Sequence, residues 1–127
     1  KSKIVQLKEM ASLVDVAVEI LANKKDNLNE FGKLLNYTWE LKRGLTTKIS
    51  TNTIDEIYRK GISAGALGGK LLGAGGGGFL LFYVEPEYQK HVRAALGDLL
   101  YVPFRFEDYG TRVLYYSPEI YDFQNKK

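Results

Sequence analysis

The sequence predicts an α+β domain, an antiparallel sheet of about four strands with helices packed on one face. Three observations carry this. Apolar residues recur at spacings of three and four as far as about Ala64. Eight glycines then fall within the fourteen residues Gly65–Gly78. Beyond them come short apolar runs with the character of strands. A length of 127 residues and 45% hydrophobic content suit one domain with its own core.

The first helix follows from Ile4, Leu7, Ala11, Val14, Val18 and Leu21, a single stripe widened by Val5, Leu13, Ala17 and Ile20. Asn23 to Asp26 end it with polar residues. A second helix spans about Leu28 to Arg43, with Asn27 as its cap and Glu30 as the capping-box acid. Its apolar face is Phe31, Leu34, Leu35, Thr38, Trp39 and Leu41. Lys42-Arg43 followed by Gly44 has the usual order of last-turn cations and C′ glycine. After a polar break at Ser50–Thr53, Thr53-Ile-Asp-Glu56 reads as a second capping box. It opens a third helix, Ile54 to about Ala64, ended by Gly65. Gly69–Leu72 suits a short strand before the glycines, and Phe79–Val84 a buried strand after them. Pro86 opens a fourth helix with Tyr88, Val92, Ala95 and Leu96 inward, closed by Gly97-Asp98. Tyr101–Phe106 and Thr111–Tyr116 read as two final strands around a turn at Glu107–Gly110. Tyr101, Tyr109, Tyr115, Tyr116 and Tyr121 fit half-buried strand positions, with an interface as the other reading.

Composition excludes several chemistries. Without cysteine there is no disulfide, thiolate metal site or cysteine nucleophile. A cytoplasmic location agrees with that. No apolar run approaches the roughly 20 residues of a membrane span, and no signal peptide is visible. The net charge of +3 comes from scattered residues. Nucleic-acid binding wants a concentrated basic patch, so neither nucleic acid nor membrane is an expected partner.

Three motif matches fail on context. Gly61-Ile-Ser63-Ala-Gly65 has the letters of a hydrolase nucleophile elbow, which needs a strand before the serine and a helix after it. Here a helix precedes Ser63, and His91 is the only histidine. Gly73-Ala-Gly75-Gly-Gly-Gly78 has the dinucleotide fingerprint, but the order is glycines then strand, the reverse of what that site requires. Gly69-Lys70 resembles the end of a Walker A loop, yet Ala64 stands where a glycine is needed and Leu71 replaces the Ser/Thr. What remains is the run as a whole. Consecutive glycines are entropically costly. Their physical uses are positive φ and close backbone approach, which suit a loop whose N–H groups converge on an anion. A flexible linker would set its glycines among Ser and charge; these sit between Leu71-Leu72 and Phe79-Leu80.

The segment Lys70-Leu-Leu-Gly73-Ala74-Gly75-Gly76-Gly77-Gly78-Phe79 resembles the third signature motif of the GHMP kinases (galactokinase, homoserine kinase, mevalonate kinase and phosphomevalonate kinase). The order of helices, glycine turn, strand, helix and paired strands resembles that superfamily's ferredoxin-like C-terminal domain over essentially residues 1–127. Gly65-Ala-Leu-Gly-Gly-Lys70, with Trp39-Glu-Leu-Lys-Arg43 upstream, resembles the sugar-phosphorylating branch, in particular the bacterial D-glycero-D-manno-heptose 7-phosphate kinases. The resemblance implies ATP with Mg²⁺ as phosphoryl donor and a small-molecule sugar phosphate as acceptor, at its anomeric hydroxyl. It also implies a cleft shared with an N-terminal kinase domain as partner. In it the backbone N–H groups of Gly73, Ala74, Gly75, Gly76, Gly77 and Gly78 form the phosphate-side wall. Lys70 and Arg43 are candidate substrate or phosphate contacts. For Lys70 the other reading is a solvated strand lysine, and for Arg43 and its neighbour Lys42 it is complementing a helix C-terminus.

The superfamily's first motif, its Pro-x-x-x-Gly-Leu-Ser-Ser motif and its catalytic Asp do not occur here, so no catalytic residue is assigned. ATP and Mg²⁺ are expected to bind mainly outside this chain. A start without Met, inside a helical pattern, suits part of a larger kinase, inactive alone. The rival expectation is a non-catalytic ligand-binding or regulatory module.

Overall fold

A computed structural model describes residues 2–23, 28–45, 50–73 and 77–115. Four helices and two strands follow in the order α1 (Lys3–Ala22), α2 (Asn29–Arg43), α3 (Asn52–Ser63), β1 (Ala66–Leu72), β2 (Phe79–Val84) and α4 (Gln89–Ala95). The chain is α+β, as its patterning predicts.

Strands β1 and β2 form an antiparallel hairpin in which Leu72 pairs with Phe79 and Gly69 with Phe82, with an irregularity between Ala66 and Gly68. Helices α2 and α3 lie against β1, α1 lies on α2, and α4 lies on α3. The core forms where α2, α3 and the hairpin meet. Trp39, Ile54, Tyr58 and Leu71 are buried there, with Ile62, Leu80 and Phe82 packed around them. The rings of Trp39, Tyr58 and Phe82 run in series, each centroid 5.5 Å from the next. Each fully buried large side chain contributes roughly 1.5–3 kcal/mol, so this cluster is the main bond between helices and hairpin.

Glycines set how close the helices come. A Cβ on Gly68 of β1 would lie 2.0 Å from the Gly32 carbonyl oxygen and 2.7 Å from the Asn36 nitrogen, both α2 backbone atoms. Helix α2 therefore rests on the strand backbone itself. Asn29 fixes its N-terminal end, accepting from the Tyr83 hydroxyl at 3.2 Å while its amide nitrogen donates to Glu85.

Several helix termini differ from expectation. Thr51 caps α3, not Thr53: it is extended, and its hydroxyl accepts from the Ile54 N–H at 3.3 Å. Both threonines stand near a suitable acid, and only backbone geometry separates them. Gly44 does close α2, but in the right-handed region at φ −66°. A Cβ there would meet only the amide end of the Gln6 side chain closer than 3 Å, at 2.8 Å. Gly65 ends α3 at φ +114°, as a left-handed terminator should. The expected cap Asn27 lies outside the described residues. Pro86 sits in a turn, and α4 begins three residues later.

The larger correction concerns the sheet. Among the described residues it has two strands, not about four, so the ferredoxin-like arrangement is not seen. Residues 101–106 and 111–115 form no ladder; Tyr116 lies outside the described residues. Alternation at Val102, Phe104 and Phe106 marks two faces, but a strand exists only through a partner. Pro103 also removes one ladder donor. Tyr101, Tyr109 and Tyr115 are exposed rather than half-buried; Tyr116 and Tyr121 lie outside the described residues.

Candidate functional site: the glycine turn of the hairpin

The turn from Gly73 to Gly78 connects β1 to β2 directly after the last strand pair, Leu72 with Phe79. Of the expected loop residues, Gly73, Gly77 and Gly78 are described; Ala74, Gly75 and Gly76 lie outside the described residues. Gly73 has φ +119° and Gly78 φ +123°, a region that L side chains rarely adopt. Crowding adds to the requirement at Gly78, where a Cβ would lie 2.1 Å from the Leu72 carbonyl oxygen. At Gly73 it would lie 3.3 Å from the Gly77 carbonyl oxygen. Both ends of the turn are thus closed to any residue but glycine.

Gly77 differs. It lacks the positive φ of its neighbour, and among the described residues nothing lies within 4 Å of where its Cβ would be. Local packing accepts a side chain there. Open space beside glycine backbone fits close approach by an anion such as a nucleotide phosphate. For Mg²⁺ the fit is different: the described residues contain no carboxylate or histidine group able to hold a metal ion.

Lys70 lies on β1, exposed, in register with Leu81. It is near the turn along the strand, and no ion pair is recorded for it among the described residues. Arg43 is placed elsewhere. Its guanidinium meets Glu40 at 3.0 Å and Asp55 at 2.5 Å, and Ser50 donates to the same Asp55 carboxylate at 2.6 Å. Hydrogen bonding to Asp55 is the main cause that raises the Arg43 pKa, against the opposing effect of burial. Burial pushes the Asp55 carboxyl up. Hydrogen bonds from Ser50 and Arg43, with the charges of Arg43 and Arg59, outweigh it and hold Asp55 below the ordinary carboxylate value. This cluster clamps the end of α2 to the start of α3. The turn and Arg43 are not brought into one constellation by any recorded contact.

Ser63 is the last residue of α3, as its context required, and His91 is exposed on α4. Among the described residues, Tyr58 is strongly perturbed. Burial pushes its hydroxyl up to about 12. It donates to Asn36 Oδ1 at 2.9 Å, with Gly69 O at 3.4 Å. It therefore works as a neutral strut behind the strand that leads into the turn. Sequence reasoning missed this layer of support. The available signal was Gly32 and Gly61, each inside a helical pattern at a cost of about 1 kcal/mol, which asks for a packing reason.

The described ends of the connection, Gly73 and Gly78, require glycine and join the two strands of a helix-backed hairpin. The chain belongs to the GHMP kinase family: residues 17–102 match the model described as GHMP kinases C terminal. It is similar to the mevalonate kinase of Pyrococcus horikoshii, 38% identical over 93 residues, covering 71% of this chain and 27% of that protein. The mevalonate kinase of Thermococcus onnurineus is 36% identical over 112 residues, 84% of this chain and 33% of that protein. The D-glycero-alpha-D-manno-heptose 7-phosphate kinase of Campylobacter jejuni is 36% identical over 70 residues, 53% of this chain and 21% of that protein. The chain thus spans a third or less of each of these relatives.

Proposed function

We propose that the protein bearing this chain is an ATP-dependent kinase of a small hydroxylated molecule. In this reading the turn at Gly73–Gly78 is a backbone wall beside the transferring phosphates. The observation that carries it is the pairing of two glycine-only positions, Gly73 and Gly78, with open space at Gly77. Phosphoryl transfer needs chiefly positioning and charge stabilisation, and fixed N–H groups supply both without a titrating side chain.

The chain on its own is inactive in this reading. ATP and Mg²⁺ are bound mainly by an N-terminal domain of the same protein, working in the cytoplasm. Exposed apolar side chains support such a partner: Leu100 is 88% and Phe106 89% exposed, more than isolated surface residues explain. Lys70 stands near enough along β1 to serve a phosphate, whereas Arg43 is engaged by two carboxylates and serves the α2–α3 clamp first.

For the acceptor, we take the anomeric hydroxyl of D-glycero-D-manno-heptose 7-phosphate. Support comes from the Gly65–Lys70 and Trp39–Arg43 segments and from the Campylobacter relative. Mevalonate is the second reading, favoured by the archaeal relatives, which cover more of the chain. The test is ADP release by the full-length protein with ATP·Mg²⁺ and a panel holding both acceptors. Turnover with the heptose phosphate supports the first reading, and turnover with mevalonate alone replaces it with the second. No turnover with any acceptor from folded protein moves the assignment to a non-catalytic ligand-binding or regulatory module.

A further inference from the structure

The stripe that marks α1 as a helix does not face the core. Its residues Ile4, Leu7, Ala11, Val14, Val18 and Leu21 alternate in steps of three and four over nearly three heptads, the spacing of a two-helix seam. All six are exposed: Ile4 is 66% exposed, and Val14 and Val18 are each 60%. Helix α1 rests on α2 through a different face, where Met10, Leu13, Ala17 and Ile20 are half-buried. A 20-residue helix is about 30 Å long. Among the described residues, the first helix therefore carries an unpartnered apolar rail along its length.

The charges beside the rail choose its occupant. With Ile4 as position a, Lys8 and Asp15 fall at successive e positions, and Lys3 at g. Antiparallel pairing of two identical α1 helices about a centre between Ser12 and Leu13 sets Ile4 against Leu21, Leu7 against Val18 and Ala11 against Val14. Each large residue meets a partner, and the smallest meets a valine. Flanking positions of the same letter then face one another, so Lys8 of each copy faces Asp15 of the other, two opposite-charge pairs by symmetry. A parallel pair would instead bring Lys3 against Lys8, two like-charge pairs. We propose that α1 is a self-association surface, on which a second copy of this protein docks as an antiparallel two-helix pair with two-fold symmetry. This stands apart from the kinase reading and does not depend on it.

The experiment is light scattering after size exclusion, on the full-length protein over a range of concentrations. Folding of each variant is checked by circular dichroism. Val14 is exposed, so Val14→Glu leaves the fold intact, and it should convert a two-copy mass to a one-copy mass. Lys8→Asp and Asp15→Lys should each weaken association about tenfold, and the double exchange should restore it. A one-copy mass for the unaltered protein at every concentration would overturn the proposal, including the case where the protein's own N-terminal domain covers the rail. A two-copy mass indifferent to Val14→Glu would place the interface elsewhere and overturn it equally. Tighter association on Lys8→Asp would show the parallel pair, also against the proposal.

Discussion

Replacing Gly68 by alanine tests the contact that seats the hairpin on its helix. The added Cβ would lie 2.0 Å from the Gly32 carbonyl oxygen and 2.7 Å from the Asn36 nitrogen. Ordinary carbon–oxygen contact begins a little beyond 3 Å, so strand and helix must part by about 1 Å. Neither obstacle is a side chain able to rotate away. Parting them also loosens the Trp39–Tyr58–Leu71 cluster, which bridges the same two elements. Overpacking of a tight core costs about 1–3 kcal/mol, and the backbone clash puts Gly68→Ala at or above the top of that range. Gly32→Ala is the control. Its Cβ would meet side chains rather than backbone, the Tyr83 ring at 2.5 Å and Leu67 Cβ at 3.0 Å, and alanine recovers about 1 kcal/mol of helix propensity. Urea denaturation should therefore show Gly68→Ala to be about 3 kcal/mol less stable than the unaltered protein, with a smaller loss for Gly32→Ala. Equal stability of Gly68→Ala and the unaltered protein, or a larger loss at Gly32, would refute the reasoning.

Three further outcomes follow from the same structure. Gly78→Ala should break the turn: positive φ and the Leu72 carbonyl at 2.1 Å together cost several kcal/mol by order of magnitude, visible as a lowered Tm. Asp55→Asn should cost about 1 kcal/mol at neutral pH through the lost clamp on Arg43. Because the folded Asp55 pKa is depressed, its contribution is present above the ordinary carboxylate value of about 3.9 and lost as pH falls through the folded value. The variant should accordingly show a flatter acid limb in a stability–pH profile. Tyr58→Phe should cost about 1 kcal/mol at neutral pH, the usual worth of a hydrogen bond. The raised Tyr58 value makes its contribution complete below about 10 and lost as pH rises toward about 12, so the variant should lack that alkaline loss.

Helices and hairpin were legible because their signals are local. Ile54, Tyr58 and Gly61 share one face of α3 by spacing alone, and the apolar run Phe79–Val84 is a strand, although half-buried with Phe79 exposed rather than the buried strand expected. Residues 101–106 show the limit. Alternation at Val102, Phe104 and Phe106 is equally local, yet a strand depends on a partner edge that no local pattern names. Gly32 and Gly68 show a second limit. Each looks like a mild penalty in its own element, and only their meeting, 36 residues apart along the chain, reveals a contact. The turn itself was legible as a glycine run. Which glycines are required by geometry was not, because that rests on φ and on the Leu72 carbonyl.

That distinction supplies the most direct test of the central claim, that the turn offers backbone to a nucleotide phosphate. In the full-length protein, the KM for ATP and the Tm of Gly77→Ala are measured together. Local packing accepts this side chain, so Tm should hold, while a methyl group in the phosphate's path should raise KM for ATP about tenfold or more. An unchanged KM with an unchanged Tm would mean that no phosphate approaches Gly77 and would contradict the account.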